Sequence, residues 1–198
     1  RALDLSFTKS SPLYAFTQLK KASEYNSLMD EVYARQSVLI LGLLKLDDQK
    51  LNEQETNHFI KYGLEQIDIA IAKHPYRSIS YRTKAELLLR QGEKVVAKEA
   101  LYQALKVDPY DLESRVLLSG ILQETGDEQE AKSILHDGFG RLYYKAGYQE
   151  AISFLMTAYN FLEPNVQGEI KVQIDKITQL IMKKDKYIKA FILDELKS

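Results

Sequence analysis

Apolar residues recur at helical spacing along almost the whole chain. Pro12 can open a helix, because its missing N–H would be unpaired there anyway. Leu13, Phe16, Leu19 and Ala22 follow at intervals of three. The next helix runs from Glu31 to Leu46, with Val32, Leu39, Leu43 and Leu46 on one side. Its central run, Val38 to Leu44, is apolar nearly all round, which predicts burial on two sides. A polar connection, Asp47 to Leu51, leads to Asn52, a cap for the following helix with Glu55 at the reciprocal position. That helix carries Phe59, Ile60, Leu64, Ile67, Ala70 and Ile71 and ends before Pro75. Asp111 then caps a helix from Leu112 to Glu124, and Gly126 turns the chain. Asp127 and Glu130 offer a second capping box, for a helix reaching about Ala146. Further stripes are Ala151, Leu155 and Ala158, then Ile170, Ile174, Ile177 and Ile181, then Ile188, Phe191, Ile192 and Leu196. The pattern predicts about nine helices, at roughly 12–15 residues each with short turns.

One stretch repeats. In Ser78–Asp111, Tyr81 is a large aromatic, Ala85 a small residue where two helices approach, Leu88 a core residue and Gly92 a turn. Ala97, Leu101 and Ala104 form the stripe of a second helix, and Pro109 closes the unit. Gly126, Ala131, Leu135 and Gly138 repeat Gly92, Ala97, Leu101 and Ala104 at an interval of 34. Upstream, Ile67, Ala70 and Pro75 precede Leu101, Ala104 and Pro109 by the same interval. Small residues let helices approach, and glycine supplies a left-handed turn.

This stretch resembles the tetratricopeptide (TPR) repeat, a 34-residue helical hairpin that buries its apolar face only by stacking on neighbours. The resemblance implies an all-α, right-handed solenoid of TPR-like hairpins over residues 1–198. Its clear repeats are 78–111 and 112–146, its irregular repeats 12–77 and 147–182, and a C-terminal helix at 185–197 caps it. FTQLKKASEYNS and YQEAISFLMTAYNFLEP each resemble the second helix of such a unit. Tyr76 and Tyr110, which follow the two closing prolines 34 apart, look structural.

Composition narrows the function. The balance of 27 Lys+Arg against 28 Asp+Glu argues against a nucleic-acid binder relying on a bulk positive field. The absence of cysteine removes disulfides, thiolate catalysis and cysteine-ligated zinc. No apolar run approaches the roughly 20 residues that span a bilayer. The chain begins at Arg1 and reads as a piece of something longer. Phosphate-loop, dinucleotide and zinc-protease motifs are absent, and His58, His74 and His136 have no ligand-spaced partner. No catalytic residue, cofactor or metal is expected.

The resemblance also implies a binding face. In TPR arrays the first helix of each repeat lines a groove, which here places Ile79, Arg82, Glu86 and Leu89 inward, followed by Glu113, Val116, Gly120 and Gln123. Glu86 lies one turn beyond Arg82 and is spaced to pair with it. Valine and glycine in the second set do not match the carboxylate clamps of chaperone adaptors. A mixed groove suits a protein or peptide segment with one acidic contact to Arg82 and small apolar contacts near Val116 and Gly120. Solvated positions without a partner, or positions filled by the protein's own helices, remain the alternative. The leading function is therefore a non-catalytic interaction or scaffolding module.

A second likeness, in layout only, is to the soluble C-terminal tails of bacterial O-antigen polymerases and ligases. It rests on LKKASEYNS, the long apolar helix after it, and AIAKHPYRSISYRTKAELLLRQGE running into ALKVDPYD. It implies an accessory domain tethered on the extracytoplasmic side of a membrane, against a cytoplasmic alternative for a free module. The partner's identity and the oligomeric state stay open.

Overall fold

The computed structural model describes residues 12–25, 29–46, 52–140 and 148–184. All nine elements among them are helices and none is a strand, so the chain is all-α. They are α1 (Pro12–Tyr25), α2 (Asp30–Leu46), α3 (Glu53–Lys73), α4 (Ser78–Arg90), α5 (Lys94–Val107), α6 (Leu112–Glu124), α7 (Glu128–Gly140), α8 (Tyr148–Phe161) and α9 (Pro164–Lys184). The chain divides into two compact units, Arg1–Asp108 and Pro109–Ser198. The continuation of α7 toward Ala146 and the stripe from Ile188 to Leu196 lie outside the described residues.

The first unit is built of two antiparallel pairs, α2 with α3 and α4 with α5. Helix α4 also packs on α3, and α1 on α2. Helix α1 thus sits where the second helix of a preceding hairpin would. Asn52 caps α3 as a reciprocal box, accepting from the Glu55 N–H at 2.9 Å while its own N–H donates to the Glu55 carboxylate at 3.0 Å. Helix α4 ends at Gly92, whose φ of 86° suits glycine. The Glu93 N–H reaches back to the Leu88 carbonyl and the Gly92 N–H to that of Leu89, which satisfies two carbonyls the helix end leaves over. Helix α6 ends the same way at Gly126, with φ 85°.

Close approach holds these pairs together. A Cβ added to Gly63 of α3 would lie 3.0 Å from Leu87 of α4 and 3.4 Å from Ile40 of α2. The Ser37 hydroxyl, buried on α2, donates to the Gly63 carbonyl at 2.9 Å. Gly63 precedes Ala97 by 34, as Ala97 precedes Ala131, and Ala97 and Ala131 are both buried. Ile40, Leu41, Leu44, Ile60 and Leu87 fill one core cluster, and Tyr33, Ile67 and Ala70 another. Between them the Tyr62 hydroxyl donates to Gln36 Oε1 at 2.8 Å, and Gln36 donates to the Leu19 carbonyl of α1 at 3.4 Å. Burial, then the charges of Glu65 and Glu24, push the Tyr62 hydroxyl's pKa up.

The second unit pairs α6 with α7 and α8 with α9. Helix α8 also packs on both α6 and α7, so it takes the place of a first helix, not the second-helix place its sequence suggests. The small–large–small run Ala151, Leu155, Ala158 faces the core in either role. These residues join Phe154, Leu162, Leu112 and Leu135 in one cluster, which Ile170, Ile174 and Ile177 of α9 complete. Asp111 caps α6 by accepting from the Ser114 N–H at 3.0 Å. Arg115 is 3% exposed. Its guanidinium donates to the carbonyls of Ile134 (3.1 Å) and Pro109 (2.8 Å) and meets the Asp137 carboxylate at 2.8 Å. A buried guanidinium requires such partners.

Tyr76 and Tyr110 differ from their expected structural role: both rings are exposed. They follow prolines in two-residue turns, and the Tyr76 ring meets that of His74 edge-on at 6.4 Å.

Gly138 separates packing from mere helix composition. A Cβ there would lie 2.6 Å from both the Arg115 side chain and the Phe154 ring. At Gly120 it would meet nothing within 4 Å. Gly138→Ala should therefore destabilise the second unit by about 1–3 kcal/mol. Gly120→Ala should stabilise it by roughly 0.5–1 kcal/mol, the usual gain over glycine inside a helix. Urea midpoints of the two variants against the parent check the pair.

Candidate functional site

The residues expected to line a groove fall into two sets, one in each unit. Ile79, Arg82, Glu86 and Leu89 lie along one stripe of α4. Ile79 is 48% exposed, and the other three are half-buried. The spacing alone places them so, since positions three and four apart stack on one helix face.

Helix α2 lies beside this stripe. It presents a second stripe that the sequence reading missed: Glu31, Arg35, Val38, Gly42 and Lys45. Val38 is 47% exposed, although it falls inside the run expected to be buried on two sides. That expectation holds for Ile40, Leu41 and Leu44, which are buried; Leu39 and Leu43 are half-buried. The signal lay in Glu31, Arg35 and Lys45, polar residues at helical spacing on one face.

Ion pairs tie α2 to α4. Lys45 Nζ lies 2.8 Å from Glu86 Oε2, and the Arg77 guanidinium 3.3 Å from the Asp30 carboxylate. Within α2, Arg35 pairs with Glu31 at 2.8 Å. Glu86 thus reaches a base forty-one residues earlier, which its spacing from Arg82 did not indicate. The face combines exposed apolar side chains, in Val38 and Ile79, with charged side chains of both signs. Arg35, Lys45, Arg77 and Arg82 stand against Asp30, Glu31 and Glu86.

The second set is arranged differently. Glu113, Val116, Gly120 and Gln123 share a stripe of α6, with Glu113 exposed and Gln123 half-buried. Val116, however, packs against the cluster that α8 and α9 form, so the unit's own helices take up much of its apolar surface. Gly120 remains open. Among the described residues no group of three or more His, Asp or Glu side chains could hold a metal ion. No helix among them is long and apolar enough to cross a membrane.

The fold defined by these hairpins is TPR-like, and solved structures bear this out. A crystal structure of MamA superposes with a TM-score of 0.53 at 12% identity, covering 86% of this chain and 88% of that one. A double mutant of MamA RS-1 gives 0.56 at 12% identity, covering 88% and 89%. YrrB, a TPR protein with an unusual peptide-binding site, gives 0.51 at 14% identity, covering 92% and 84%. At such identities the likeness is one of fold. No family model matches the sequence, and no curated protein matches it. The likeness to O-antigen polymerase and ligase tails gains no support from these comparisons.

The α2–α4 pair is a modest tether. Both side chains of Lys45–Glu86 are partly in water, so Glu86→Gln should cost no more than about 0.2–1 kcal/mol, less in high salt. Thermal melts at low and high ionic strength check this.

Proposed function

We propose that this chain is a non-catalytic protein–protein interaction module. It binds a partner segment along the stripes that the first helices of its hairpins present, chiefly α2 and α4. The observation that carries this reading is the α2–α4 face itself. Val38 and Ile79 stay exposed there, although α2 and α4 bury apolar residues on their other sides. Apolar residues placed among fixed charges suit recognition of an extended or helical segment better than they suit solvent. YrrB, whose peptide-binding site is part of its printed description, shows that a related fold can serve such a purpose. Glu113, Gly120 and Gln123 on α6 would offer the second unit's own stripe, with Val116 contributing less than its neighbours because it packs inward.

Arg82 is the charge most directly placed to meet an acidic partner residue. Arg82→Glu should leave the melting temperature nearly unchanged, because a half-exposed surface charge contributes little to stability. It should also weaken partner capture several-fold, more at low salt than at high. The test is quantitative capture from the source cell's lysate by parent and variant side by side. Equal capture would move the site off this face. A large loss of stability would show that Arg82 is structural.

A further inference from the structure

Arg77 stands where the local rules ask for a different residue. It is the N-cap of α4, with extended backbone (φ −110°, ψ 107°), and its side chain makes no capping hydrogen bond. Asp111, 34 residues on, holds the same position at α6 and caps it through the Ser114 N–H. A guanidinium has no acceptor, so arginine cannot cap a helix start, and its charge opposes the positive end of the helix dipole. Arg77 instead reaches across to Asp30, 3.3 Å away in the first turn of α2. A residue that breaks a local rule points to a task elsewhere in the fold.

The packing of α4 shows what that task is. Near its C-terminal end Leu87 joins Ile40, Leu41 and Leu44 of α2 in one apolar cluster. On the same face of α4, Thr83 stands one turn earlier and Ser80 two turns earlier, both small, polar and buried. The Ser80 hydroxyl has no hydrogen-bond partner among the described residues. Along this face the apolar packing therefore covers one end of α4, the end that Lys45–Glu86 also ties, and Arg77–Asp30 spans the other. The exposed Ile79 lies in that first turn, two residues from Arg77.

We infer that Arg77–Asp30 is a latch that positions the first turn of α4, and Ile79 with it, beside the Val38 stripe of α2. The inference rests on the binding reading above and adds the pair that sets the geometry of that face. The latch acts on position more than on stability, because a partly exposed pair contributes little net energy and arginine forgoes the cap. With the pair broken, the first turn of α4 shifts and the two apolar groups no longer meet one segment together. Because salt screens such a pair, the face also loosens at high ionic strength, whatever the charge of the segment it takes.

The experiment uses Arg77→Asn, which supplies a cap and removes the charge. It is compared with the double variant Arg77→Asp with Asp30→Arg, which caps α4 and keeps an ion pair in the opposite sense. Peptides are enriched from a random twelve-residue display library on the full chain, and Val38→Asp and Ile79→Asp report whether they bind this face. Arg77→Asn should melt at or above the parent temperature, move the Ile79 methyl NMR signal and bind the peptides roughly fivefold more weakly. The double variant should restore both the signal and the binding. Parental binding by Arg77→Asn, or a marked fall in its melting temperature, would overturn the inference. So would a double variant that binds as weakly as Arg77→Asn, since the guanidinium would then touch the peptide itself. If no peptide is enriched, or if Val38→Asp and Ile79→Asp bind as the parent does, the binding reading fails and the methyl signal decides the latch. A shift that the double variant reverses upholds it, and an unmoved signal rejects it.

Discussion

Each hairpin of this chain depends on one steric condition: two helices must cross with almost nothing between them. Gly63 shows how tight the condition is, for even a methyl group there would press on Leu87 and Ile40. Ala97 and Ala131 meet the same requirement at the interval of 34, with one small side chain each fully buried. Where the backbones approach, polar groups must still be satisfied, and the Ser37 hydroxyl answers the Gly63 carbonyl. In the second unit Gly138 lets α7 close on the Phe154 ring and on the Arg115 side chain. That closure brings the Ile134 carbonyl and the Asp137 carboxylate within reach of the guanidinium.

That crossing also decides what is left over. A first helix buries one side against its own hairpin partner and another against its neighbours, so only a narrow stripe remains outward. On α2 and α4 those stripes lie side by side and are joined by Lys45–Glu86 and Arg77–Asp30. Packing thus accounts for the buried residues, and the outward stripe carries whatever the packing does not need. Val38, Gly42 and Ile79 belong to that remainder.

What could be read from the chain beforehand was what is encoded locally. Gly92 and Gly126 adopt positive φ where the turns require it, Asn52 and Glu55 cap each other, and Asp111 caps α6, each from a signature within a few residues. The hairpin Ser78–Val107 was legible because its spacing is regular. Other features depend on residues far apart. Gly63 stands 34 residues before Ala97, on the register that Ile67, Ala70 and Pro75 also keep, but its close approach to Leu87 and Ile40 depends on two other helices. Val38 was hidden in an apolar run, although Glu31, Arg35 and Lys45 at helical spacing on either side of it mark the face that points out. The buried role of Arg115 needs Asp137, on another helix. For the binding residues, spacing settled which side chains share a helix face. It did not show that α2 supplies the neighbouring stripe, or that α8 and α9 draw Val116 inward.

The central claim is that the α2–α4 face is where this molecule meets its partner. Methyl and amide NMR of the full chain, titrated with a bound peptide segment, tests it most directly. The account predicts that the shifts concentrate on the Val38 and Ile79 methyls and the Gly42 amide, while the exposed methyls of Val95 on α5 and Val172 on α9 stay in place. Shifts centred on Val95 or Val172, with Val38 and Ile79 unmoved, would contradict it.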